Sequence, residues 1–386
     1  MPVNPGAQTA CRANSQRVGI AQSPFNPHGF AGTLGYPRAL ADPSMLEPSL
    51  KPPAPRSAPV TLDDVARLAQ VSAITVSRVI NRPAMVSERT AKRVRKAINQ
   101  TGYVPNLAAG SLVSQRSRLV IVVMPSIANH VFVETIRHLS QALAKERYQL
   151  MLCQSGYSEQ SEAELIDTLL SRRPDGLVLT TALRTDSARQ RLISRDLPVV
   201  EAWELKAQPI DAVVGFSHAA AGAAMAEHML AKGYRRFGLV WSNDARAASR
   251  LHACRATLLA AGASVLHSVL VEVPVSVGYG RSGLAQILEQ HSDIDAVICS
   301  IDLLAQGVLA EAQARGLQVP EQLAVMGFGD LDFAAHIQPP LSTVRADGAR
   351  IGQRAAQFLL QRIEGQVGRG ELVEDVGFEI VARGTT

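Results

Sequence analysis

The sequence predicts an α/β protein in which a small three-helix head and a short hinge helix precede a larger body built from two doubly wound parallel sheets. Three observations carry that expectation. Residues 61–81, TLDDVARLAQVSAITVSRVIN, hold two short amphipathic helices with almost nothing between them. From Leu119 onward, short apolar runs alternate with helical periodicity. Charge divides the chain at the same place: residues 57–118 carry ten Lys/Arg against three Asp/Glu and residues 1–56 five against two, so the rest of a chain of net charge +5 is at −5. A basic head on an acidic body argues that one part meets a polyanion and the other does not. With 386 residues, 47% of them hydrophobic, the chain has room for two or three domains and a substantial core.

Residues 1–56 are rich in Pro, Gly, Ser and Ala, lack periodicity and end in LKPPAPRSAP, so a disordered extension is expected. Nothing before Met45 reads as folded, which makes Met45 a second candidate for the first translated residue.

The head, residues 57–105, is read from its caps. Thr61 caps a first helix, with Asp64 as the acidic partner of a capping box and Val65, Leu68 and Ala69 on one face. Gln70, Val71 and Ser72 make the turn, and Ser72 caps a second helix whose inward stripe is Val76, Val79 and Ile80. That leaves Ala73, Ile74, Thr75, Ser77 and Arg78 facing out, the layout of a helix-turn-helix that reads DNA. Ser87 caps a third helix with Lys92, Arg93, Arg95 and Lys96 outward, ended by Gly102. At the start of the second helix, Ala73 and Ile74 suit thymine methyl groups, and Arg78 can grip guanine O6 and N7. Ser72, Thr75, Ser77 and Asn81 suit phosphates, which fix orientation without specifying sequence.

VARLAQVSAITVSRVIN, followed by the third helix, GYVPN and the segment LAAGSLVSQRSR, resembles the DNA-binding headpiece and hinge of LacI-type repressors. The resemblance implies that Ala73, Ile74 and Arg78 are base-reading positions and that Leu112 wedges into the minor groove at the operator centre. Gly110 makes so short a hinge helix, within residues 106–118, unlikely to persist alone, so ordering on DNA is expected.

The body, residues 119–386, follows a strand-helix rhythm. Apolar runs at 119–124, 150–153, 175–180, 199–201, 212–216, 236–241, 270–273, 296–300 and 323–328 read as strands. Helices are expected around 131–143 and 165–170, and over 219–232, 250–261, 303–315 and 351–363. So many strands suit two sheets better than one, with ligands in the crevice outside the carboxyl ends of the strands. This body is similar to the core of the same family, which has the architecture of periplasmic binding proteins. The family implies two lobes with crossing connections, a ligand in the cleft and a homodimer. No leucine-heptad tail follows Thr386, so a dimer is preferred to a tetramer.

Residues 278–283, GYGRSG, match the G-x-G-x-x-G pattern of dinucleotide sites, with Asp302 placed to hold a ribose, and make the best case for an NAD-dependent oxidoreductase. The motif lies in mid-chain, Pro274 interrupts its approach, and Gly is common, with 28 in all; a glycine-rich lead-in to a helix is the plainer reading. No Walker loop, zinc signature, G-x-S-x-G or Cys/His set accompanies it, so no catalytic residue, metal or cofactor is expected. Four cysteines, at 11, 153, 254 and 299, have no metal or redox spacing and read as reduced packing residues. No apolar run approaches the ~20 residues of a membrane span, so a cytoplasmic, nucleoid-associated protein is expected.

Effector residues are expected at strand ends: Ser126, Asn129 and Phe132 after the first strand, Glu201 and Trp203 after the fourth, Asp302 and Asp330 further on. Arg250, at the start of a helix, matches the family position that commonly contacts ligand, and a guanidinium suits a carboxylate. Two departures weaken a neutral-sugar reading: Ile301 precedes Asp302 where many members have Asn-Asp, and Gly329 precedes Asp330 where many have an acid. The runs MPSIANHVF, LCQSGYS, DGLVLT, VVE and AVVGF look most like the gluconate-operon repressors of the family. A sugar acid such as gluconate is therefore the expected effector, on a regulator that leaves a palindromic double-stranded operator when it binds. A regulator answering to a protein partner is the remaining alternative.

Overall fold

The computed structural model describes residues 60–104, 116–370 and 372–386, in two units that divide between Tyr103 and Val104. The N-terminal extension and the hinge positions Gly110 and Leu112 lie outside the described residues.

The first unit is three helices, α1 (Leu62–Ala69), α2 (Ala73–Asn81) and α3 (Glu88–Thr101). The Thr61–Asp64 capping box is formed in full, Asp64 Oδ2 accepting from the Thr61 N–H at 2.9 Å. Gln70 closes α1 in the left-handed region, φ 51°, and Ser72 accepts from the Thr75 N–H to open α2. Val65, Val76, Val79, Ala91 and Val94 fill the small core. Alanines at 66, 69, 91 and 97 let the helix backbones approach closely.

The second unit has two lobes. In the first, a six-stranded sheet takes the order β11-β5-β4-β3-β1-β2 from β1 (Leu119–Met124), β2 (Gln149–Gln154), β3 (Gly176–Leu179), β4 (Val199–Ala202), β5 (Ala212–Gly215) and β11 (Val373–Asp375). In the second, β6 (Arg236–Ser242), β7 (Ser264–Val271), β8 (Ala296–Cys299) and β9 (Ala324–Met326) take the order β7-β6-β8-β9. Every pairing in these two sheets is parallel. Strands such as LVIVVM are apolar throughout because helices cover both faces. The first lobe carries α4 (Val133–Lys145), α5 (Glu159–Ser171), α6 (Asp186–Ser194) and α11 (Gly348–Ile363). The second carries α7 (His218–Ala231), α8 (Ala245–Ala260), α9 (Val277–Gln290) and α10 (Asp302–Ala314). The chain crosses between lobes after β5, after β9 and after β11, and β10 (Thr343–Arg345) pairs antiparallel with β12 (Glu379–Val381) at the crossing.

Several boundaries differ from expectation. The expected helix 250–261 starts five residues earlier because Asp244 accepts from the Ala247 N–H at 3.0 Å and caps it, so Arg250 stands in the second turn, not at the start. The strand at 270–273 is the end of β7, an edge strand whose Ser and His residues interrupt its apolar pattern. The glycines of GYGRSG lie inside α9, not in a lead-in to it. A Cβ on Gly280 would meet the Leu304 carbonyl oxygen at 2.1 Å and Gly307 Cα at 2.9 Å, so this glycine serves the close crossing of α9 and α10. In the same way Gly222 lets α7 press against α8 at Arg250, whose carbonyl oxygen lies 2.2 Å from the Cβ an alanine would add. That contact fixes where the Arg250 side chain starts.

Candidate DNA-reading face and effector cavity

On α2, burying Val76 and Val79 turns the opposite face outward. Ile74, 64% exposed, Arg78 and Asn81 are all exposed, and their spacing of four and three puts them on one stripe. Ala73, Thr75 and Ser77 flank the stripe, half-buried. Ser72 and Thr75 pair through their hydroxyls at 2.9 Å, and Asn81 Nδ2 donates to Ser77 Oγ at 3.3 Å. The ends of these side chains thus hold each other in place on the surface. Lys92, Arg93, Arg95 and Lys96 are exposed on α3, and Arg93 donates to the Gln70 carbonyl at 3.3 Å, bracing the turn. The unit presents an apolar tip and an arginine along one helix, with further cations on the next: groups that suit base edges and phosphates.

In the second unit, a cavity of about 480 Å³ opens at the carboxyl ends of strands from both sheets. Of the expected effector residues, Ser126, Asn129, Phe132, Trp203 and Arg250 line it. Asn129 Oδ1 accepts from the Val131 N–H at 3.3 Å, which caps the turn holding Phe132. Phe132 meets Trp203 edge-on, ring centroids 5.4 Å apart, and Trp203 Nε1 donates to Thr135 Oγ1 at 3.1 Å. The indole N–H is therefore spent inside the lobe, and Trp203 gives the cavity its ring.

Three expected residues lie elsewhere. Glu201 accepts from Lys206 Nζ at 2.6 Å and from the Ile210 N–H at 2.7 Å, bonds that keep its carboxylate within the first lobe. Asp302 is fully buried, accepting from the Thr343 hydroxyl at 2.6 Å and the Leu331 N–H at 2.8 Å; it staples α10 to the crossing chain, and burial pushes its carboxyl up to about 6. That leaves no ribose-binding role for Asp302 beside Gly278. Asp330 pairs with Arg345 at 2.5 Å and Arg383 at 2.7 Å and lines a neighbouring cavity of about 1020 Å³.

The cavity also takes residues that the sequence reading missed: Tyr157, Arg184, His218, Asp244, Arg246 and Phe328. Arg246 stands one turn before Arg250 on α8, a spacing visible once Asp244 is read as the cap. Its guanidinium donates to the Thr180 and Ala202 carbonyls at 2.6 and 2.8 Å, reaching across from the second lobe to the first. Arg250 is 6% exposed. It donates from Nη1 to His218 Nδ1 at 2.8 Å and from Nη2 to the Ser300 carbonyl at 3.0 Å, and its guanidinium carbon lies 4.0 Å from the centre of the Phe328 ring. Among the described residues no carboxylate forms an ion pair with it, Asp244 attracting it only through space, and its Nε has no hydrogen-bond partner. Burial pulls its pKa down to about 10, which still leaves it charged at neutral pH. His218 is pulled down to about 2 by burial first and then by Arg250 and Arg246, so it is neutral. Because Arg250 donates to Nδ1, the neutral ring carries its proton on Nε2. The cavity wall thus holds a buried cation whose hydrogen bonds go to neutral groups, with the Asp244 carboxylate acting on it only through space.

A cap-braced reading helix on one unit and a ligand-sized cleft between two crossing lobes on the other define a ligand-responsive DNA-binding regulator. Comparison with known proteins gives the family. Residues 61–106 match the bacterial regulatory proteins of the lacI family, and residues 226–386 match the periplasmic binding protein-like domain. The HTH-type transcriptional regulator GntR of Pseudomonas aeruginosa is 39% identical over 328 residues, 84% of this chain and 95% of that one. GntR of Escherichia coli K12 is 32% identical over 325 residues, 84% and 98% of the two chains. Among solved structures, a LacI-family regulator from Silicibacter pomeroyi superposes with a TM-score of 0.78 at 32% identity, covering 85% of this chain and 99% of that one. The lac repressor dimer bound to operator and the anti-inducer ONPF gives 0.73 at 25%, covering 85% and 99%. The chain belongs to the lacI family of bacterial regulatory proteins and is a DNA-binding transcriptional regulator.

Proposed function

We propose that this regulator is a cytoplasmic homodimeric repressor of sugar-acid catabolism, with no catalytic role, that leaves a palindromic operator when gluconate or a close relative fills the cavity between its lobes. The observation that carries the reading is Arg250: a buried guanidinium that forms no ion pair among the described residues and has an unpartnered Nε. A buried cation that no carboxylate touches is costly even with Asp244 attracting it through space, and a ligand carboxylate relieves that cost through charge-assisted hydrogen bonds. Ser126, Asn129 and the neutral His218 suit the hydroxyls of the polyol chain, and the Phe132, Trp203 and Phe328 rings suit its C–H faces. The similarity to the GntR regulators supports the same class of effector. On the DNA, Ala73, Ile74 and Arg78 read base edges, Thr75, Ser77 and Asn81 hold phosphates, and Leu112 enters the minor groove. By linkage, the factor by which effector weakens operator binding equals the factor by which operator weakens effector binding.

Calorimetric titration with gluconate, beside lactose and ribose, tests the effector. Heat from gluconate alone is the expected result; no heat from any sugar acid overturns it. A palindromic duplex selected from random DNA by the protein tests the operator: gluconate releases the duplex.

A further inference from the structure

We propose that Asp175 is a positioning residue that ties the hinge to the first lobe and thereby sets operator affinity, an inference that rests on the DNA-binding function above. Asp175 stands just before β3, its N–H donating to the Leu119 carbonyl at 2.8 Å, so its carboxylate sits at the foot of β1. Oδ1 accepts from the Ser117 N–H at 2.8 Å and from the Ser117 hydroxyl at 2.9 Å, and Oδ2 accepts from the Arg118 N–H at 3.0 Å. Three donors from two consecutive residues converge on one carboxylate. Arg118 is held with φ 55°, a left-handed conformation that a non-glycine residue keeps only where its surroundings over-determine it.

Those surroundings are all in the first lobe. The Arg118 carbonyl accepts from the Gln149 N–H at 2.8 Å, and its guanidinium donates to the Glu146 carbonyl at 3.1 Å and lies over the Tyr148 ring at 5.1 Å. Two residues earlier, Arg116 donates to the Ile363 carbonyl at 3.3 Å, at the end of α11, the helix that follows the second crossing. Residues 116–118 are the described residues that follow the hinge positions, and they are fastened at β1, β2 and α11 together. A rotation of the first lobe on effector binding therefore turns the start of the body as one piece. With the carboxylate removed, residues 117 and 118 lose three hydrogen bonds to the first lobe, keeping the ties of Arg116 and Arg118 to α11 and to the chain around β2, while neither the reading helix nor the cavity is touched. The segment is then held more loosely, and lobe geometry decides less strictly how the hinges are presented.

The test uses full-length protein and the selected palindromic duplex in fluorescence anisotropy, with no effector present. Asp175→Asn preserves size but turns one acceptor into a donor facing a donor, opening half of the clasp. Operator affinity is expected to weaken by about tenfold or more, the scale of one lost charge-assisted hydrogen bond, while the protein stays folded at the assay temperature with its thermal midpoint lower by only a few °C. An unchanged operator affinity in this variant overturns the proposal. Should Asp175→Asn not fold, Ser117→Ala removes a single donor; it is expected to weaken operator binding by about threefold, the scale of a neutral hydrogen bond, and no loss there is equally adverse. Failure of gluconate to release the wild-type protein counts against the effector reading alone, because the clasp is measured without effector.

Discussion

Arg250 faces the cavity because α8 starts where Asp244 caps it and because Gly222 lets α7 close against the Arg250 backbone. Its chemistry then follows from what surrounds the guanidinium. Lysine keeps the charge but loses the fork and the stacking on Phe328, so Arg250→Lys is expected to weaken gluconate binding by about 1.5–3 kcal/mol, roughly tenfold to a hundredfold, in calorimetry. His218 makes a second prediction. Its folded pKa of about 2 lies below the ordinary 6.5, so between those values the unfolded chain binds a proton that the folded chain refuses. Stability from this group is therefore complete above pH 6.5 and drains as pH falls, by about 2 kcal/mol at pH 5. Asp302, raised to about 6, acts in the opposite sense: its contribution is present at low pH and is lost as pH rises from about 4 to about 6. Denaturant unfolding of wild type and His218→Gln at pH 7 and pH 5 cancels the Asp302 effect between the two proteins. The variant is expected to lose about 2 kcal/mol less on acidification.

Among the elements, the caps and the strictly apolar strands were readable and the edges were not. Thr61, Ser72 and Ser87 each declare a helix start through a hydroxyl three residues ahead of a helical stripe, and all three act as caps. LVIVVM reads as buried because every residue of it is apolar. β7 is harder to read, since an edge strand buries one side only and tolerates Ser264, His267 and Ser268. The glycines of α9 show the limit of motif reading: the same spacing that suits a phosphate loop also suits a close helix crossing, and only the position of α10 separates the two. Gly280→Ala tests the crossing. On an open helix the change is worth about 1 kcal/mol of stabilisation; here its Cβ falls 2.1 Å from the Leu304 carbonyl oxygen. A loss of about 1–3 kcal/mol is expected instead, read as a Tm lower by about 2–4 °C per kcal/mol in thermal unfolding.

For the whole molecule, charge segregation makes DNA binding and effector binding respond differently to salt. The reading unit meets phosphates with exposed cations, so each phosphate neutralised is expected to add a slope of about −0.9 to the plot of log operator affinity against log salt. Arg250 is buried and so screened little by salt, and the gluconate affinity is expected to change far less over the same range, in paired anisotropy and calorimetry titrations. The head, the strand-helix rhythm, the need for two sheets and the polyanion-facing charge were determined by the sequence itself, because caps, periodicity and net charge are local quantities that neighbours in the chain express directly. Which polar groups are free for ligand was decided by tertiary structure. Glu201, Asp302 and Asp330 bind partners 5 to 53 residues away, while Arg246 and His218 are brought to the cavity by helix packing and a lobe crossing. A side chain's chemistry is written in its residue type, but whether that chemistry is already satisfied depends on partners that only the folded chain brings within hydrogen-bond reach.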